Sequence, residues 1–244
     1  MIYYIIHMEI QLPKNSHYFL TPFFLTVTYY SAFENGKPTC NRFIINYFLY
    51  LISSFIVYFT AIKIYDDKKI PIENKYTIIL TILLFVCLFG LLYSQNTFYK
   101  HLFYLSILLI LAYLQNIYLK KIKKEVIEET LQKMMIIIIV CLMITLKYPQ
   151  YINQSLFNFL IFGLIFVIFF RLIDIFFLKK KNNEIISMIS VFLFAGFIMY
   201  DSKRVIEMSK ECRIKGGNPD YLDHVLDMVL NLQNLFNNLS NVIE

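Results

Sequence analysis

Long apolar runs separated by short polar connections repeat along the chain from Phe43 onward. Six of them, at 43–62, 76–96, 102–119, 134–146, 154–178 and 185–200, meet or approach a membrane-spanning length. A helix needs roughly 20 apolar residues to cross a hydrocarbon core of about 30 Å. Each run is rich in Ile, Leu and Phe at every helical phase, the pattern of a helix surrounded by lipid or by other helices. The fourth, MMIIIIVCLMITL, has only 13 residues and reaches spanning length if Lys133 and Lys147 extend their amines to the two interfaces. An arm, 1–42, precedes these runs. Its apolar stretch 18–33 contains Pro22, and the residues leave open an extra span, an interfacial helix or an unstructured segment.

The connections 63–75, 95–101, 120–133, 147–153 and 179–184 are short and polar. One long connection is expected at 201–220, where KGGNP forms a turn. No internal repeat or separate soluble domain is visible, so 43–244 is read as one bundle. The first, third and fifth connections carry twelve Lys and Arg. The arm with the second, fourth and sixth carries ten, too even a balance to fix orientation by the excess of cytoplasmic positive charge.

The last segment, 221–243, breaks the all-apolar pattern. Asp220, Asp223, Asp227, Asn231, Asn234, Asn238 and Asn241 follow one another at steps of three or four residues. On a helix they fall within an arc of about 80°. Leu222, Val225, Leu226, Val229, Leu232, Leu235 and Phe236 occupy the other side. A helix over 221–243 is about 34 Å long, enough to span. The fold predicted is therefore an all-α integral membrane protein, a bundle of about seven spanning helices with a polar-striped last helix. A stripe of this kind cannot face lipid and must line the bundle interior or a wet cavity, where ionisable groups mark ion or proton paths. The alternative is an amphipathic helix lying on the membrane surface, but such helices carry Lys and Arg on the polar face, and no basic residue follows Lys215.

Composition agrees with the hydropathy pattern: 58% of residues are hydrophobic and 16% charged, against about 25% charged in soluble domains. The abundance of Ile, Phe, Tyr, Lys and Asn is what an AT-rich genome, viral or parasite-like, would impose. The net charge of +6 sits between the apolar runs, suiting anionic headgroups of a bilayer rather than nucleic acid. Cys40, Cys87, Cys141 and Cys212 form no close-spaced pair, and neither a disulfide framework nor a zinc site is expected. Residues 1–12 lack a basic start and a small-residue cleavage site, so a cleaved signal peptide is not expected. Arg171 and Asp174 interrupt the fifth run at a spacing that places them on one helix face, where they are expected to form an ion pair.

Two segments, MYDSKRVIE at 199–207 and PDYLDHVLDMVLNLQNLFNNL at 219–239, resemble the Bax inhibitor family, also called lifeguard or transmembrane BAX-inhibitor-motif proteins. Members typically read L/I-Y-D-T-Q at the end of the sixth helix and continue, after a short loop, with a pattern like ALNLYLDIINLF. The motif match covers about 40 residues, and the rest agrees in hydropathy. The resemblance implies seven helices packed around a central last one, pH-sensitive calcium leak across the endoplasmic reticulum or plasma membrane, and suppression of cell death. In that picture an aspartate of the sixth helix and one of the seventh share a proton and hold the pore shut. By position the first is Asp201. Aligning NLF at 234–236 puts the second at Asn231, a departure, because an amide cannot titrate. Asp227, one turn earlier on the same face, could take its place. The arginine that partners the acids in the family's second helix has no counterpart, since 76–99 contains no Lys or Arg.

The ion-path residues expected are thus Asp201, Asp227, Asn231, Asp223 and Asn234. No cofactor is expected, and calcium would enter only as a permeant ion. A non-transporting scaffold of a viral or organellar membrane, its stripe docked on a partner protein's helix, is the competing function. An enzyme is not expected: His7, His17, His101 and His224 lie outside the clearly apolar runs, and no H-E-x-x-H or G-x-S-x-G occurs.

Overall fold

In the computed structural model, which describes residues 16–34, 37–68, 74–177, 182–215 and 219–244, nearly the whole described chain is helical. The start of the arm, Lys14 and the Gly216–Gly217 turn expected from KGGNP lie outside these residues. Eight helices follow in order: α1 (Ser16–Ala32), α2 (Phe43–Asp67), α3 (Asn74–Tyr93), α4 (Thr97–Leu119), α5 (Lys124–Lys147), α6 (Gln154–Phe176), α7 (Asn183–Lys215) and α8 (Tyr221–Ile243). A two-residue antiparallel pair, β1 (Phe33–Glu34) with β2 (Lys37–Pro38), joins α1 to α2. Six helices, α2 to α7, are long and apolar enough to cross a membrane. The molecule is an all-α membrane bundle.

The element boundaries have local causes. Asn96 caps α4 by accepting from the Phe98 amide at 2.9 Å, and Asn153 caps α6 from the Leu156 amide at 3.1 Å. Each satisfies a backbone donor that would otherwise stay unpaired at a helix start. The helix containing the 13-residue apolar run begins at Lys124 and has 24 residues, ten of them in a charged stretch before the run. The polar stretch before the run is helical because its residues are good helix formers. Its Lys124–Glu128 and Glu129–Lys133 pairs, at 3.6 and 2.7 Å, reinforce it one turn apart.

The long connection expected at 201–220 is corrected in the same way. α7 continues to Lys215, making 33 residues, so its link to the last helix at Tyr221 is short. No Gly or Pro interrupts 201–215, Lys203 pairs with Glu207 at 3.1 Å, and Val205 and Ser209 are buried. The question left at 18–33 is answered as a helix. α1 runs antiparallel along α2, with Ser31 Oγ donating to Asn46 Oδ1 (2.6 Å), Thr28 meeting Ser53 (2.7 Å) and Thr21 meeting Thr60 (3.2 Å).

α8 is the centre of the bundle. It packs most extensively on α7, then on α5, α2 and α4. Thirteen of its residues are buried, Val225 and Leu235 completely. At the α6–α7 crossing two glycines make close approach feasible. A Cβ on Gly163 would lie 2.7 Å from Leu193, and one on Gly196 2.6 Å from Leu160. Small residues at such crossings let helices share dispersion contacts that lipid otherwise supplies. Outward faces stay apolar: Ile82 and Phe89 on α3 and Phe162 and Phe169 on α6 are exposed, the surface a bilayer covers.

Cys40 and Cys212 form a disulfide, with Cα atoms 5.6 Å apart and 172 residues between them in sequence. This overturns the expectation of unpaired cysteines. Sequence spacing carries no signal here, because the fold brings the two together by returning α7 to the end of the bundle where α2 starts. Cys87 and Cys141 are free and buried. Alkylation of denatured, unreduced protein is therefore expected to modify only Cys87 and Cys141, with Cys40 and Cys212 added after reduction. Cys212→Ser should lower thermal stability by roughly 2 kcal/mol or more, since the cross-link closes a long loop.

Candidate functional site

The striped face of α8 meets a different partner on each turn. Asp220, the N-cap residue, accepts from the Asp223 amide and binds Lys100 Nζ at the start of α4. Asp223 Oδ2 lies 3.9 Å from the same ammonium, while its Oδ1 is buried with no hydrogen-bond partner. One turn on, Asp227 faces Arg204 of α7 at 3.8 Å, its side chain 49% exposed. Then Asn231 Nδ2 donates to Asp201 Oδ2 at 2.6 Å. Asp201 itself is 8% exposed. Asn234 turns back on its own helix, donating to the Leu230 carbonyl at 2.9 Å. Asn238 accepts at Oδ1 from Arg171 Nη2 (2.8 Å) and donates to the Asn234 carbonyl (2.7 Å).

The acids and amides expected to share a face therefore do share one, but they are not equivalent. Asp201 and Asn231 make the direct acid–amide hydrogen bond between α7 and α8. Asp227 makes no described hydrogen bond to Asp201 and faces Arg204, and both of these charges act on Asp201 from beyond contact distance. The expected Arg171–Asp174 ion pair is not formed. Arg171 reaches across to Ser187 Oγ (3.1 Å) and Asn238, while Asp174 Oδ1 accepts from the Asn182 amide at 2.9 Å and closes the turn before α7. Tertiary partners on α7 and α8 outcompete the neighbour one turn away, because a guanidinium pointed inward finds two acceptors there.

Several groups escaped the stripe. Gln115 of α4 donates to Asn237 Oδ1 (3.0 Å) and accepts from Gln233 (3.2 Å), and the Tyr118 hydroxyl lies 2.6 Å from Ser240 Oγ. Two amides, Gln115 and Asn116, inside an otherwise apolar run were the available signal. Lys100, the one Lys or Arg of 95–101, pairs with Asp220 and Asp223 at the start of the last helix. Beside it, at the disulfide end of the bundle, opens a cleft of about 640 Å³ lined by Lys100, His101, Asp220, Tyr50 and Tyr221. Asn46, wholly buried on α2, ties this end together by donating to the Tyr221 hydroxyl at 3.2 Å. Among the described residues, no group of three or more His, Cys, Asp and Glu side chains is arranged to hold a metal ion.

A bundle wrapped around a striped last helix is the arrangement the motif resemblance implied, with an acid–amide contact between Asp201 and Asn231 where the family pattern has two acids. A sequence model of the family described as "Inhibitor of apoptosis-promoting Bax1" matches residues 20–244. The chain belongs to the Bax inhibitor family. The match takes in most of α1 and every later helix, so membership no longer rests on two motifs. The chain is also similar to an uncharacterized membrane protein of Vibrio cholerae serotype O1 (strain ATCC 39315 / El Tor Inaba N16961), 35% identical over 86 residues. That match spans 35% of each chain. This Bax inhibitor family member is thus a multi-pass membrane protein whose inter-helix acid, Asp201, keeps a partner on the last helix even though that partner is an amide.

Proposed function

We propose that the protein is a non-enzymatic, pH-sensitive calcium leak path and, through it, a regulator of cell death, with Asp201 and Asn231 as its latch. The observation that carries this reading is the 2.6 Å contact joining α7 to α8 at an acid only 8% exposed. Above the latch, Asp220, Asp223 and Asp227 face Lys100 and Arg204, leaving one carboxylate in excess at the mouth, beside a cleft that Asp220 lines; that excess favours cation entry.

The sign of the pH effect follows from the hydrogen bond. An ionised Asp201 accepts a charge-assisted bond from the Asn231 amide, stronger than its neutral counterpart by about 1 kcal/mol. Protonation exchanges one for the other and loosens the helix pair, so leak is faster at lower pH. Because Asn231 cannot titrate, the response involves one carboxylate rather than a shared-proton pair.

The Cys40–Cys212 bond supports an orientation. Disulfides persist in oxidising compartments, which assigns the latch mouth to the lumenal or extracellular side. The connections with twelve Lys and Arg then fall on the cytosolic side, against ten on the other, a difference too small to add support.

Calcium flux into dye-loaded proteoliposomes, measured at about pH 6 and about pH 8, tests the reading. Wild type should leak faster at the lower pH. Asp201→Asn should be roughly five-fold faster at the higher pH and insensitive to pH, and Asp227→Asn should be slower than wild type at both. No flux, or flux unchanged by both substitutions, overturns the proposal.

A further inference from the structure

Arg171 is, with its neighbour Asp174 (3% exposed), a charged side chain that the latch does not use, and it reaches into the bundle. It lies on α6 far from the disulfide end, about 25 Å along the helix from Gln154. Lys203 Nζ donates to the Ile152 carbonyl just before that helix, which places the start of α6 beside the mouth. The Arg171 guanidinium crosses to the central helix and donates to Asn238 Oδ1 (2.8 Å) and, on α7, to Ser187 Oγ (3.1 Å). Its Nε is buried and has no partner.

Among the described residues, no carboxylate lies within 4.0 Å of it; none of the ion pairs of Lys100, Lys120, Lys124, Lys133, Lys203 and Arg204 involves it. Asp174, the acid nearest in sequence, spends an oxygen on the Asn182 amide. Asn238, 4% exposed, holds the charge against the stripe seven residues beyond Asn231, about 10 Å further along the helix. The stripe thus has one acid in excess of its paired cations at the mouth and, at its inner half, a fixed positive charge with no carboxylate in ion-pair contact, Asp174 acting on it only from beyond that distance.

We propose that Arg171, held on Asn238 and Ser187, is a valence barrier that a permeating cation must pass after the Asp201–Asn231 latch. This rests on the leak reading above. Coulomb repulsion scales with the charge of the ion, so the barrier opposes a divalent cation twice as strongly as a monovalent one at the same distance. Arginine suits the role because it cannot lose its proton in a protein and its planar fork is locked by two acceptors.

Flux of calcium and of potassium into proteoliposomes is measured for wild type, Arg171→Gln, Arg171→Lys and, as the latch control, Asp201→Asn. Arg171→Gln should raise calcium flux at least ten-fold and potassium flux several-fold less, while Arg171→Lys, which keeps the charge, stays near wild type. To exclude a packing effect, Arg171→Cys is treated in place with a cationic or a neutral methanethiosulfonate reagent of similar size. The cationic adduct should restore the barrier and the neutral one should not. If Asp201→Asn raises flux while Arg171→Gln does not, the barrier is overturned and the latch stands. Equal gains for both ions, or restoration by the neutral adduct, overturn it as well. If no variant passes calcium, the leak reading and the barrier fall together.

Discussion

Asn231→Leu is expected to be among the most damaging single changes to the bundle, although it exchanges an amide for an apolar side chain inside a membrane protein. Leucine fills a similar volume and suits the surroundings. What it removes is the one described hydrogen-bond donor to Asp201, a carboxylate 8% exposed. Removing the donor leaves a buried acceptor, charged when ionised, without its hydrogen bond, a loss of about 2–3 kcal/mol. In a chain of this size that corresponds to roughly 5–10 °C in melting temperature. Asn234→Leu provides the comparison, one turn further along the same face. Its amide bonds only to the backbone of its own helix, so its loss should cost about 1 kcal/mol or less. Thermal unfolding in detergent, followed by intrinsic tyrosine fluorescence, separates the two. Similar melting temperatures for both variants would show that the Asp201–Asn231 contact carries no special weight.

The second large effect is expected on the opposite side of the helix. Leu235 is completely enclosed, at the point where α8 is surrounded by α7, α5, α2 and α4. Leu235→Ala should cost about 2–5 kcal/mol, the transfer term plus the cavity left in close-packed surroundings. Phe162→Ala removes a larger side chain from the lipid-facing side of α6, where the residue is 72% exposed, and should leave the melting temperature within the scatter of replicate measurements. A helix lying on the membrane surface would give the reverse ranking for Leu235, since there the leucine would contact only acyl chains.

Much of this organisation could be read from hydropathy, and the parts that could not share a cause. Hydropathy locates where lipid ends, not where a helix ends. The start and finish of 221–243 coincide with α8 because its own periodicity, rather than its apolarity, defined it. α7 runs fifteen residues past its apolar part, and α5 begins ten residues before its own, in stretches whose helicity comes from propensity and one-turn ion pairs. The Cys40–Cys212 bond and the Arg171–Asn238 bond are invisible to local spacing, since each joins elements distant in sequence. In the second case the local rule pointed to the wrong partner: three residues separate Arg171 from Asp174, yet both turn to backbone or side chains elsewhere. Asp201–Asn231 was accessible by another route. The motif resemblance aligned an acid of one helix with an amide of the next, and the packing of α7 on α8 brings those two atoms to 2.6 Å.

Everything proposed about ion movement depends on α8 being threaded through the bundle with its stripe enclosed. Single cysteines placed at 227, 234 and 238, with the Cys40–Cys212 bond intact, can be titrated with a membrane-impermeant maleimide in sealed vesicles. Asp227→Cys should react quickly from the disulfide side, and Asn234→Cys and Asn238→Cys should stay protected until Asp201→Asn opens the path. Rapid labelling at all three positions without that second change would describe a helix lying in water, and would contradict the account.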